Sequence, residues 1–132
     1  MRGKTIFFVL ALAAAVFLAG CSFGKKEVAY QDGTFSGVSD NKNIEVAVTV
    51  KDNKITAVDI VEFDDAGNQK DINVYQICVE GGTAPLLAEA HPTLAKRIID
   101  KNSWDVDVFS GATSSSNSIR EAAKAALQTA QK

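Results

Sequence analysis

Residues 107–117 of this 132-residue chain read "DVFSGATSSSN". They bring the hydroxyls of Ser110, Thr113, Ser114, Ser115 and Ser116, the carboxylate of Asp107 and the small pair Gly111-Ala112 to the front of an alanine-rich stretch. Glycine and alanine leave the backbone open to close approach by a bulky partner. A helix that begins here presents free N–H groups and the positive end of its dipole, so a phosphate is well sited at Thr113. The same residues admit an ordinary reading, since Ser and Thr at a helix start are common caps that satisfy the orphan donors unaided.

Other chemistries find less support. His91, the single histidine, precedes Pro92 and has no second histidine or cysteine cluster to share a metal with, so it is expected to be structural. The run "DDAGNQKD" at 64–71 has several carboxylates but not the Asp-x-Asp/Asn-x-Asp/Asn-Gly spacing of a calcium loop, and reads as a solvated acidic loop. "EGGTAP" lacks the Gly-Lys-Ser/Thr ending of a phosphate-cradling loop. No Ser-His-Asp or paired-carboxylate arrangement stands out, so no residue is assigned as catalytic and no metal is expected.

The elements that must carry the motif follow from periodicity. "YQDGTFSGVSD" reads as a turn at Asp32-Gly33 feeding a short strand, and "NIEVAVTVKDNKITAVDIVEF" as a β-hairpin turning at "KDNK". Ile44, Val46, Val48 and Val50 share one face by the period of two. In the return strand Thr56, Val58, Ile60 and Glu62 alternate with Ile55, Ala57, Asp59 and Val61, and the Val58/Ile60 face is expected inward. Residues 72–79 are strand or buried helix, undecided by pattern alone. Beyond Pro92, Leu94, Ala95, Ile98 and Ile99 recur at helical spacing, giving a helix of about ten residues ending near Asn102. "SWDVDVFSG" reads as a short alternating strand. A final helix is expected over 118–131, with Ile119, Ala122, Ala123, Ala126, Leu127 and Ala130 on one stripe and a capping box from Ser118 and Glu121. The order implies a single-domain α+β fold, a small antiparallel sheet packed on one face by helices.

The first residues stand apart. "MRGKTIFFVLALAAAVFLAGC" has a basic start, an apolar run at 6–18 and a small-residue exit, the pattern of a signal peptide over 1–20. The apolar run is shorter than the roughly 20 residues that a spanning helix needs. "LAGC" resembles the lipobox of bacterial lipoproteins, which implies cleavage before Cys21 and acylation of its thiol. The chain would then be held to a lipid bilayer on the extracytoplasmic side of the cell membrane by a short tether at 21–29, with the domain over 30–132. With Cys21 acylated, Cys78 has no disulfide partner and reads as a buried structural cysteine. Taking away residues 1–20 removes Arg2 and Lys4 and no acid, so 14 basic side chains fall to 12 against 16 acidic ones, a formal charge of −4. Nucleic acid is a poor partner for that balance.

The motif itself is similar to the flavinylation motif of FMN-binding domains related to the flavin-bearing subunits of the sodium-translocating NADH:quinone reductase and of the Rnf complex. There the pattern is Asp-x-x-Ser/Thr-Gly-Ala-Thr followed by x-Thr/Ser-Ser-Asn, and Asp107, Ser110, Gly111, Ala112 and Thr113 match its core. Ser115, Ser116, Asn117 and Ile119 match the continuation, and "YQDGTFSG" and the hairpin extend the likeness over most of the chain. The resemblance implies FMN joined covalently through a phosphoester to Thr113 by a magnesium-dependent flavin transferase that uses FAD. It casts Asp107, Ser110, Gly111 and Ala112 as recognition and close-approach residues, with Ser115 and Ser116 near the phosphate. Between 63 and 95, where relatives often carry a Glu-Thr-Pro-Gly loop, "VEGGTAPLL" stands instead. Tyr75, Trp104 and Phe109 are the aromatic candidates for packing on the flavin ring. The implied function is a membrane-anchored electron carrier exchanging electrons with membrane or extracytoplasmic redox partners, and not a stand-alone enzyme. The alternatives are a flavin-bearing accessory subunit of an extracytoplasmic reductase complex, or a binding or structural lipoprotein that is never flavinylated.

Overall fold

The computed structural model describes residues 28–74 and 87–132. The leader, Cys21, Tyr75 and Cys78 lie outside the described residues. Three strands, β1 (Gly33–Val38), β2 (Ile44–Lys51) and β3 (Lys54–Glu62), form an antiparallel sheet in the order β1-β2-β3, followed by α1 (Leu87–Lys101) and α2 (Thr113–Ala130). Alternation in β2 drives the arrangement: Ile44, Val46, Val48 and Val50 are each at most 2% exposed. They meet the stripe of Ile119, Ala122, Ala123, Ala126, Leu127 and Ala130 on α2 and Leu94 and Ile98 on α1 in one apolar core. The expected α+β fold, with helices on one face of a small sheet, is what forms.

The hairpin turns at Asp52 and Asn53, whose φ values of 51° and 64° are the paired positive angles a two-residue turn requires. Register slips between Thr49 and Val50, so Val50 faces Ile55 while Thr49 faces Ala57. Thr56 is the extra residue of a bulge. Val58 and Ile60 pack on the core as expected, but the bulge inverts the phase before them: Ile55 is buried and Thr56 is exposed. Gly37 marks where β1 lies directly against α2, since a Cβ there would stand 2.1 Å from the Ala122 carbonyl oxygen.

Three expectations need correction. Helix α1 begins at Leu87, upstream of Pro92, which sits inside it. A proline so near the start removes one helical hydrogen bond and leaves the rest intact. The "SWDVDVF" segment does not become a strand. It has no ladder partner; its carbonyls are taken by side chains of α1, Arg97 Nη1 donating to Asp107 O and Val108 O at 2.9 Å each and Lys101 Nζ to Asp105 O. Of this alternating run, Val106 alone is buried. Last, α2 starts at Thr113, five residues before the expected capping box. Ser118 and Glu121 instead hold the β1–β2 turn, Ser118 Oγ accepting from Asn41 Nδ2 at 3.1 Å and Glu121 Oε2 from Asp40 N at 3.4 Å. Packing of the first turn overrides the weak helix propensity of Thr-Ser-Ser-Ser-Asn.

Candidate functional site

The motif forms a tight turn and the first turn of α2. Ala112 N donates to Phe109 O at 2.9 Å, and Gly111, with φ at 87°, occupies the position where such a turn favours glycine. Ala112 is the N-cap and supplies no side-chain acceptor. The leading N–H groups of Thr113 and Ser114 therefore point out of the helix with no acceptor among the described residues, as an anion-accepting helix end would have them.

The hydroxyls divide into two sets. Thr113 and Ser114 are exposed and engage no partner among the described residues. Ser116 is fully buried, and its Oγ accepts from Phe109 N at 2.9 Å, fixing the preceding turn. Ser115 Oγ donates to Glu62 Oε1 at 3.0 Å. Ser110, Gly111 and Asp107 are exposed, while Ala112 is buried under the turn. Asp107 lies on the wall of a cleft of about 360 Å³ shared with Arg97, Asp100, Lys101 and Val106.

Sequence reasoning missed the polar cluster beneath this turn. Glu62 ends β3 with a side chain only 5% exposed. Its Oε1 also accepts from Lys70 Nζ at 2.9 Å, and its Oε2 lies 3.0 Å from His91 Nε2. An ionised carboxylate is acceptor-only, so His91 Nε2 carries the proton of that bond. His91 Nδ1 is buried with no partner among the described residues. Burial pushes the Glu62 carboxyl up, but hydrogen bonds from His91 and Lys70, the charge of Lys70 and the Ser115 hydroxyl outweigh it and hold it below its ordinary value. The signal was present in the pattern: Glu62 stands in phase with Val58 and Ile60, and an inward carboxylate must find partners. Beside the cluster opens a cleft of about 420 Å³ lined by Ile60, Glu62, Gln69, Lys70 and Ile72.

The aromatic candidates that are described pack against the core from the side, each partly buried. Trp104 is covered by Lys124 Nζ and the Arg120 guanidinium, 5.0 and 6.0 Å from its ring centroid. Phe109 belongs to the motif turn itself. In the 64–71 loop, Asp64 accepts from the Ala66 and Asn68 amides, and the loop folds around its own carboxylate. No group of three or more metal-ligating side chains gathers among the described residues. No helix among them is long and apolar enough to cross a membrane.

Comparison with known proteins bears on the family and the fold. The model of the FMN-binding domain family matches residues 40–128, from the β1–β2 turn to the last turns of α2. A crystal structure of the CPE2226 protein from Clostridium perfringens is similar at 32% identity and a TM-score of 0.62, over 76% of this chain and 88% of that one. No curated protein sequence matches at a significant level. The match takes in β2, β3, α1 and most of α2, with Thr113 inside it, and the chain belongs to the FMN-binding domain family.

Proposed function

We propose that this flavin-binding protein carries its FMN as a phosphoester on Thr113 and serves as an extracytoplasmic electron carrier, tethered to the bilayer through an acylated Cys21. The observation that carries the reading is an exposed threonine hydroxyl at the uncapped N-terminus of a helix, framed by a Gly-Ala turn. Those residues fit a phosphate. The unpartnered N–H groups of the first turn supply donors, Gly111 and Ala112 leave room for close approach, and Ser110 and Asp107, which precede them in the chain, are exposed.

In the attachment step the Thr113 oxygen forms a bond to the FMN-side phosphorus of FAD, the pyrophosphate bond breaks, AMP leaves, and the hydroxyl proton passes to solvent. No electron changes hands, and a flavin transferase has to supply the magnesium and the catalytic groups. When bound, FMN would supply one- and two-electron transfer, and the chain's part would be to hold and orient it. Outside the cytoplasm a covalent bond keeps the site filled whatever the free FMN concentration. A tether of 21–29 reaches at most about 30 Å, which keeps the flavin near membrane-bound donors and acceptors.

The test is coexpression of the full chain with a flavin transferase, followed by denaturing electrophoresis under ultraviolet light. The wild-type band should fluoresce and the Thr113→Ala band should not, with both proteins equally folded. A dark wild-type band removes covalent attachment from the account.

A further inference from the structure

The motif's two inward hydroxyls are engaged differently. Ser116 closes the turn that precedes it, a local contact, whereas Ser115 reaches a carboxylate 53 positions away in the sequence. We propose that Glu62 is the positioning residue of the modification site: through Ser115 it fixes the rotation of the first turn of α2 and so presents the Thr113 hydroxyl to the transferase. The inference rests on the reading of Thr113 as the attachment point.

Successive helical residues are rotated by about 100°, so Ser115 and Thr113 lie about 200° apart around the axis. Pulling Ser115 inward turns Thr113 outward. Helix α2 has no acidic residue in its first turn and no side-chain cap, so no carboxylate of its own complements its positive end, and the first turn is tied to its surroundings by Ser116 on Phe109 N and by Ser115 on Glu62. Glu62 supplies the carboxylate from β3 and anchors the Ser115 side of the turn. It is itself immobilised from two further directions, by Lys70 beyond the 64–69 loop and by His91 of α1. Backbone bonds tie the same parts together, Lys70 N to Glu62 O at 2.8 Å and Ala88 N to Ile72 O at 2.9 Å. Lys70 offsets the carboxylate's charge, so an anion can approach the helix end without facing a bare negative group.

The experiment measures transferase-catalysed FMN incorporation into the full chain, with turnover and KM for the protein substrate separated, for wild type, Glu62→Ala, Glu62→Gln and Ser115→Ala. Misplacing a reacting hydroxyl by about 1 Å costs about a hundredfold, so E62A should lose turnover on that order with little change in KM. S115A, which breaks the same link while leaving the buried charges paired, should lose about five- to tenfold. E62Q keeps an oxygen to accept from Ser115 and should recover most of the loss. Amide exchange on the unmodified proteins gives an independent readout. The Ser116 N–H, bonded to Ala112 O at 2.9 Å, should lose protection in E62A and S115A while amides at 122–127 keep theirs.

Wild-type turnover in folded E62A and S115A overturns the inference, as does an equal loss of protection along all of α2, which would mark a global stability effect. If E62A does not fold, S115A decides alone. Should wild-type Thr113 itself stay unmodified, the attachment reading fails, and this inference with it; should wild type and both variants be modified alike, only the role of Glu62 fails.

Discussion

Two regions of this molecule are held by different means. The hairpin and the apolar stripe of α2 are built from ladder hydrogen bonds and buried Val, Ile, Leu and Ala, with Ile44, Val46, Val48, Ile119 and Ala126 at most 1% exposed. The segment from 103 to 112 and the first turn of α2 have neither ladder nor broad apolar burial. There the backbone is caught by side chains: Arg97 and Lys101 on carbonyls, Ser116 on the Phe109 amide, and Glu62 on Ser115. Apolar packing of the α2 stripe fixes where the helix lies and which face it turns to the sheet, while directional bonds pin the first turn, ahead of that stripe.

The contrast can be broken first on the apolar side. Ile119→Ala removes a fully buried side chain at the centre of the sheet–helix contact and should cost about 2–5 kcal/mol of stability. Denaturant unfolding followed by circular dichroism measures it. A cost under about 1 kcal/mol would mean that the stripe is less decisive than its burial implies.

The next effect is expected on acidification. The Glu62 carboxyl is held below its ordinary value in the folded chain, so its contribution is complete above the ordinary carboxylate range and is lost as pH falls through the lowered folded value. Asp64, exposed and lowered mainly by the Asn68 amide, acts with the same sign. The denaturation midpoint should therefore drop as the solution is taken below about pH 5, and E62Q should show a shallower drop. Parallel curves for wild type and E62Q would exclude Glu62 as a source of acid sensitivity.

The smallest effect should come from Arg97→Ala. It removes two charge-assisted bonds to Asp107 O and Val108 O on a half-exposed segment, worth about 1–2 kcal/mol together. It should loosen 105–110 in amide exchange without touching the core, and equal loosening of β2 would blur the distinction between the regions.

The same division explains what the sequence made legible. Period two in β2 and the repeat in α2 report burial directly, so the sheet, its inward face and the stripe could be read from pattern alone. The bulge at Thr56 left no mark, because Thr and Ile are equally at home in a strand. "DVDVF" alternates correctly, yet a strand needs a neighbour, and its carbonyls went to Arg97 and Lys101 instead. The start of α2 was displaced because Ser118 and Glu121 have capping-box spacing but are spent on Asn41 and Asp40. At the candidate site, the motif pointed to Thr113, while the Glu62, His91, Lys70 and Ser115 cluster joins residues up to 53 positions apart and has no local spacing to betray it.

The central claim is a bond between one hydroxyl and one phosphate. Peptide-level mass spectrometry of the full chain isolated from its own cells reads it directly. The peptide containing Thr113 should carry the mass of an FMN phosphodiester on that side chain. An unmodified Thr113 in cells where a flavin transferase is active would contradict the account.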